Sequence, residues 1–285
     1  MESVYERNNK KVVIIISISS DIGLDLAKKY SELGYKIIGT YRSTKLLDEL
    51  KSIPNCYLFK CEMLDKESIN SFVKDFEKLN LSWDIFISCT GTQKPIGDFF
   101  EDNFDEWSQS IHINAIEPLR VLHGLYRYRN KNRISNIILF AGGGSANKAT
   151  KKYSAYALSK IMLTKFCENL DFENEDLKVS IMGPGWTKTK MHYETINEDR
   201  RRVGENYETT LNFMKNGIGT SMEDIFNCID WVCNQDKEVT GGRNFSVVYD
   251  KWKGKESEEL ATALKADFNM YKLRRYGNEW VPLKK

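Results

Sequence analysis

Lys11-Val-Val-Ile-Ile-Ile-Ser-Ile-Ser-Ser-Asp-Ile-Gly-Leu-Asp-Leu-Ala-Lys-Lys-Tyr-Ser-Glu-Leu-Gly34 reads as a strand, a tight turn and a helix in immediate succession. The run Val12–Ile16 is apolar without alternation, as expected of a strand covered on both faces. From Ile22 onward Leu24, Ala27, Tyr30 and Leu33 recur at helical spacing, and Gly34 supplies the residue type that ends helices. Further apolar segments follow at Lys36–Thr40, Cys56–Lys60, Trp83–Ser88, Asn136–Phe140, Lys178–Met182 and Asn244–Val248, with helical patterns between them. Strands alternating with helices predict an α/β fold, a doubly wound parallel sheet with helices on both faces, in a single domain over residues 1–250. Two stretches fall outside the alternation. Residues 187–220, charged and broken by Gly204 and Gly217, follow a strand end and are expected to form a substrate lid. Residues 251–285 form a C-terminal extension, helical over Ser257–Lys265, with Trp252, Tyr271 and Trp280 to dock on the body or on a partner subunit.

Composition narrows the function classes. The 285 residues are 41% hydrophobic and 29% charged, a globular balance. Val12–Ile16 is far too short to span a membrane, and the N-terminal Met-Glu-Ser-Val-Tyr-Glu-Arg lacks the layout of a signal peptide, so a soluble cytoplasmic protein is expected. Forty-two basic against 40 acidic residues leave a net charge of +2, too even for a nucleic-acid footprint. The six cysteines (56, 61, 89, 167, 228, 233) lack CxxC spacing and read as reduced thiols. Histidines 112, 123 and 192 show no metal-ligand spacing, so no metal is expected.

The chemistry concentrates in Tyr156-Ala-Leu-Ser-Lys160, at the start of an apolar helix. Residues four apart share a helical face. A phenol ordinarily titrates near pKa 10, and a neighbouring ammonium favours its anion, lowering that value by about 1–3 units.

This stretch resembles the Tyr-x-x-x-Lys motif of the short-chain dehydrogenase/reductase family. Other landmarks fall in the family's order. Asn114, within Ile113-Asn-Ala-Ile-Glu-Pro118, matches the asparagine that holds a proton-relay water. Pro184-Gly-Trp-Thr-Lys-Thr189 resembles the segment contacting nicotinamide and phosphates, so Pro184, Gly185, Thr187 and Thr189 are implied cofactor residues. The resemblance covers residues 11 to about 250 and implies a Rossmann-like domain, with hydride passing between nicotinamide and a carbonyl or alcohol carbon. In that scheme Tyr156 moves the proton and Lys160 assists it.

The sequence departs from the family in two places. The family's Gly-x-x-x-Gly-x-Gly is degenerate: Ser17 and Asp21 stand at the first two glycines and only Gly23 remains. Ser17, Ser20, Asp21, Ile22 and Gly23 are thus the implied pyrophosphate turn, with Asp21 either capping the helix or pointing away from the ligand. Likewise Ser88-Cys-Thr-Gly91 keeps only the glycine of Asn-Asn-Ala-Gly. The serine that orients the substrate carbonyl, expected about thirteen residues before the tyrosine, is replaced by Gly142 and Gly143, which leaves Ser145 as the nearest hydroxyl.

Arg42, at the end of the second strand, suits a 2′-phosphate and so NADP(H) rather than NAD(H). Glu62 resembles the family's acidic residue at the adenine ring. Arg200-Arg-Arg202 in the lid suggests a nucleotide-linked or phosphorylated sugar as substrate, though Glu198 and Asp199 are positioned to pair with these arginines instead. A small or acyl-carrier-bound ketone is the second reading, and a non-catalytic nucleotide-binding regulatory protein the third. The family also implies a homodimer or homotetramer, joined through helices over Phe104–Arg129 and Tyr153–Leu170.

Overall fold

The computed structural model describes residues 10–143 and 149–275. Seven parallel strands form one sheet in the order β3-β2-β1-β4-β5-β6-β7. They are β1 (Val12–Ile16), β2 (Lys36–Tyr41), β3 (Cys56–Lys60), β4 (Ile85–Ser88), β5 (Ser135–Phe140), β6 (Leu177–Gly183) and β7 (Arg243–Ser246). All seven predicted strands are present, shifted by a residue or two at their ends. The chain reverses direction across the sheet between β1 and β4, the switch point at which such sheets open a crevice for ligands.

The helices are α1 (Asp21–Glu32), α2 (Leu47–Lys51), α3 (Lys66–Lys78), α4 (Phe104–Ile111), α5 (Glu117–Leu125) and α6 (Ser154–Glu173), followed by α7 (His192–Ile196), α8 (Arg200–Val203), α9 (Asn206–Asn216), α10 (Met222–Asn234), α11 (Lys237–Thr240) and α12 (Glu256–Ala266). The apolar runs have partners on both faces. Val13 and Ile15 of β1 pack with Leu26, Ile87, Ile229 and Phe245 on one face. Val12, Ile14 and Ile16 pack with Phe72, Phe86, Leu163 and Ile181 on the other. This double cover is why the strands carry no polar alternation.

The single helix expected over Phe104–Arg129 is instead interrupted, because a π-helical turn at His112–Ile116 separates α4 from α5. Two residues account for it. The buried Asn114 accepts from the Thr92 backbone nitrogen at 2.8 Å and donates to the Thr92 carbonyl at 2.9 Å, tying the helix to the segment after β4. Pro118 has no N–H, so the usual helical donor to the Asn114 carbonyl is missing.

The described part of the C-terminal extension packs on the body. Trp252, Leu260 and Leu264 are buried, and the buried Arg243 donates to the carbonyls of Leu264 at 2.6 Å, Asp267 at 3.0 Å and Met270. Trp280 lies outside the described residues. No described helix is long and apolar enough to cross a membrane.

Candidate active site

The carboxyl ends of the strands border a cleft of about 1460 Å3. At its floor, Ser17 follows β1 with φ 59°, the left-handed conformation that glycine adopts most readily. Its amide donates to Thr40 Oγ1 at 3.0 Å and its hydroxyl meets Thr90 Oγ1 at 3.0 Å. The turn therefore keeps a glycine-like path without the glycine. Ser20 caps α1, its Oγ accepting from the Gly23 nitrogen at 3.0 Å. A Cβ on Gly23 would lie 2.7 Å from the Ser17 carbonyl, so the one retained glycine is required by close packing. Asp21 begins the helix while Ser20 caps it, and at the border of the cleft the Asp21 carboxylate accepts from the backbone amide of Lys190, beyond β6.

Ile22 also borders the cleft, as do Arg42 and Glu62 at the end beyond β2 and β3. Arg42 is exposed and has no ion pair or hydrogen bond among the described residues. The Glu62 amide donates to Ser68 Oγ at 2.9 Å, which fixes the bend after β3.

Tyr156 and Lys160 sit on one face of α6, with Lys160 Nζ 5.7 Å from the Tyr156 ring centroid. Lys160 is 3% exposed, and its ammonium has no hydrogen-bond or ion-pair partner among the described residues. Burial pushes it down to about 8. The phenol does not follow the expected downward direction: burial, and secondarily the Glu194 carboxylate, push Tyr156 up to about 12. Although the Lys160 ammonium lies over the ring, both causes act upward. Tyr156 is thus a protonated donor at neutral pH.

The unpartnered Lys160 charge has a consequence for stability. Its folded value, about 8, lies below the ordinary 10.5, so the folded protein holds fewer protons than the unfolded chain between those values. Stability from this group is therefore lowest below about pH 8 and rises toward pH 10.5, by a total of roughly 3 kcal/mol. Lys160→Met should accordingly melt above the wild type at pH 7, with the gap closing as pH rises through that window. A variant melting below wild type at pH 7 would refute the uncompensated charge.

Asn114 is fully buried behind the cleft wall, holding Thr92 as described above. Thr92 Oγ1 and the Gln93 amide donate to Glu194 Oε2 at 3.0 and 2.6 Å. Glu194 is held in place by its neighbour. Tyr153 Oη lies 2.9 Å from Thr195 Oγ1, which donates to Gln93 Oε1 at 2.9 Å, so α7 is bonded to the start of α6. No motif spacing marks Glu194; its position in the insert after β6 was the only available signal.

Gly91 borders the cleft, and a Cβ there would lie 4.0 Å from Lys160 Nζ and 2.7 Å from Met191 Cε. Gly142 approaches more closely, since a Cβ on it would fall 2.4 Å from the Tyr156 hydroxyl. Ser145 lies outside the described residues.

At the far wall, Gly185 has φ +76°, and a Cβ would lie 2.5 Å from Val248 Cγ2 and 2.6 Å from Thr220 Oγ1. Both the dihedral and the crowding require glycine after Pro184. Thr187 Oγ1 is buried without a hydrogen-bond partner among the described residues, and Thr189 borders the cleft. His192 Nε2 donates to the Thr187 carbonyl at 3.0 Å, and its ring stacks on Trp186.

The arginine triplet is not brought to the cleft. Arg200 pairs with Glu208, Arg201 with Asp199 at 2.9 Å, and Arg202 with the buried Asp102 carboxylate at 2.5 Å. These pairs brace the insert rather than present free cations.

A family model described as short chain dehydrogenase matches residues 11–200. The chain belongs to the short-chain dehydrogenase family. This dehydrogenase is 26% identical over 220 residues to a Dictyostelium discoideum protein named dehydrogenase/reductase SDR family protein 7-like, covering 72% of this chain and 67% of that one. It is 28% identical over 192 residues to the 3-oxoacyl-[acyl-carrier-protein] reductase of Buchnera aphidicola, covering 64% and 75% of the two chains. Among solved structures, a short chain dehydrogenase/reductase from Saccharomyces cerevisiae superposes with a TM-score of 0.75 at 18% identity, over 85% of this dehydrogenase and 97% of that chain. The short-chain dehydrogenase described here is accordingly an NAD(P)-dependent oxidoreductase with a Rossmann-like sheet.

Proposed function

We propose that this oxidoreductase reduces a carbonyl with NADP(H), using Tyr156 as proton donor. The observation that carries the reading is the pairing of Tyr156 with a buried Lys160 ammonium that has no partner among the described residues. A buried, unpaired charge is costly and is kept where a ligand completes it. The rest of the cleft suits a dinucleotide. Ser20-capped α1 presents its N-terminus to the pyrophosphate, the orphaned Thr187 hydroxyl awaits a polar partner, and the unpaired Arg42 stands at the adenosine end.

The hydride would come from a reduced nicotinamide held in the cleft. Tyr156, neutral at pH 7, donates its phenolic proton to the carbonyl oxygen as negative charge develops there. Lys160, above the phenol ring, holds the nicotinamide ribose and stabilises the phenolate left behind. Asn114 anchors Thr92 and, through its carbonyl, holds the water that returns the proton. Gly91, Pro184, Gly185 and Thr189 shape the walls, and Glu62 meets the adenine. Ser145 remains the proposed hydroxyl partner to the substrate.

With Arg200, Arg201 and Arg202 each engaged by a carboxylate, the phosphorylated-sugar reading loses its specific support. An uncharged ketone is the favoured substrate, of small or acyl-carrier-bound type as in the Buchnera relative's name. Residues 187–220 serve as its lid. The exposed rings of Phe100 and Phe104 beside α4 suit docking of a second copy, giving a homo-oligomer.

The test is a panel of ketones and phosphorylated sugars incubated with NADPH and pure protein. Substrate-dependent NADPH oxidation by a ketone is expected; oxidation confined to phosphorylated sugars would overturn the substrate assignment. Arg42→Ala should weaken NADPH binding by about tenfold, the scale of one charge-assisted contact, and leave NADH binding unchanged. Equal loss for both nucleotides would contradict recognition of a 2′-phosphate.

A further inference from the structure

Asp21 introduces a carboxylate at the first residue of α1, in the turn after β1. In a sheet of this topology that position faces the crevice where a dinucleotide's phosphates lie. An unmodified carboxylate there opposes an anionic ligand by like-charge repulsion. The structure pairs it with one cation. Asp21 Oδ2 accepts from the Lys190 amide at 2.6 Å, and Lys190 Nζ lies 3.4 Å from Asp21 Oδ1 and 3.3 Å from the Ser19 carbonyl. Lys190 comes from the segment after β6, at the base of the insert carrying Glu194. Both side chains border the cleft, and Lys190 is 58% exposed, so the pair adds little to folding stability.

We propose that Asp21 and Lys190 are a matched pair that makes a glycine-poor turn competent for a pyrophosphate. Lys190 cancels the carboxylate, and the hydrogen bond from its backbone amide to Asp21 Oδ2 keeps the two side by side. The inference rests on the dinucleotide reading above. It differs from direct phosphate binding by Lys190 in one respect: the need for Lys190 exists only because Asp21 is present.

The test is fluorescence titration with NADPH of the full-length wild type, Lys190→Ala, Lys190→Arg and the double variant Asp21→Gly/Lys190→Ala. Circular dichroism melts would establish that each is folded. Lys190→Ala is expected to weaken binding by about ten- to a hundredfold, as an unscreened neighbouring charge would. Lys190→Arg should retain binding. The double variant should return to within about threefold of wild type, about 0.7 kcal/mol at about 1.4 kcal/mol per tenfold. The Lys190→Ala defect should also shrink with added salt, since screening at 0.15 M acts over about 8 Å. A double variant as weak as Lys190→Ala, or unchanged binding by Lys190→Ala, would overturn the pairing while leaving the dinucleotide reading intact. Absence of NADPH and NADH binding by the wild type would instead overturn that reading and the inference with it.

Discussion

Tyr156→Phe is expected to lower turnover by about 10²–10⁴, the range contributed by a positioned proton donor, with NADPH affinity unchanged. The substitution keeps the ring beside Lys160 and removes only the hydroxyl, so packing of α6 is preserved. Because burial holds the wild-type phenol at about 12, its reductive turnover should show no loss from phenol ionisation at neutral pH. Steady-state kinetics beside a cofactor titration measures both quantities. A variant that turns over at the wild-type rate would remove Tyr156 from the reaction, and one that loses NADPH binding would make it a cofactor ligand first.

Gly142→Ala should be almost as damaging, though it adds a methyl group rather than removing a reactive atom. The new Cβ would lie 2.4 Å from the Tyr156 hydroxyl and 2.6 Å from Cζ, so the phenol must move. Gly142 does not have the positive φ that would strain an alanine backbone, and displacement of the tyrosine is the main effect. A misplacement near 1 Å in a reacting group costs on the order of 10² in rate. Turnover should fall by that amount while cofactor affinity and melting temperature stay near wild type. Gly143→Ala is the control, because a Cβ there meets nothing within 4 Å among the described residues. Equal effects from the two alanines would implicate loop flexibility rather than contact with the phenol.

The fold was legible because burial on both faces leaves a strong trace: Val12–Ile16 and the later apolar runs could be placed without knowing their neighbours. The Tyr156/Lys160 pair stood out through its resemblance to the family's Tyr-x-x-x-Lys motif, since helical spacing alone puts the two on one face without marking them as reactive. Asn114 was identified, but its effect on the helix was not, because the π turn depends on bonds to Thr92 twenty-two positions away. Charges were the least readable. Arg200–Arg202 looked like a phosphate clamp, yet Asp102, remote in sequence, takes Arg202. Glu194 and Lys190 carried no signal, because their roles arise from contacts with Gln93 and Asp21. The direction of the Tyr156 shift also depended on burial depth, which local spacing does not encode.

Titration of the wild type with NADPH, following nicotinamide fluorescence, asks whether a nicotinamide is held against Tyr156 and Lys160. Saturable enhancement with one site per chain, absent from a variant in which Lys160 is replaced by methionine, is the predicted result. A flat titration with both NADPH and NADH would contradict it.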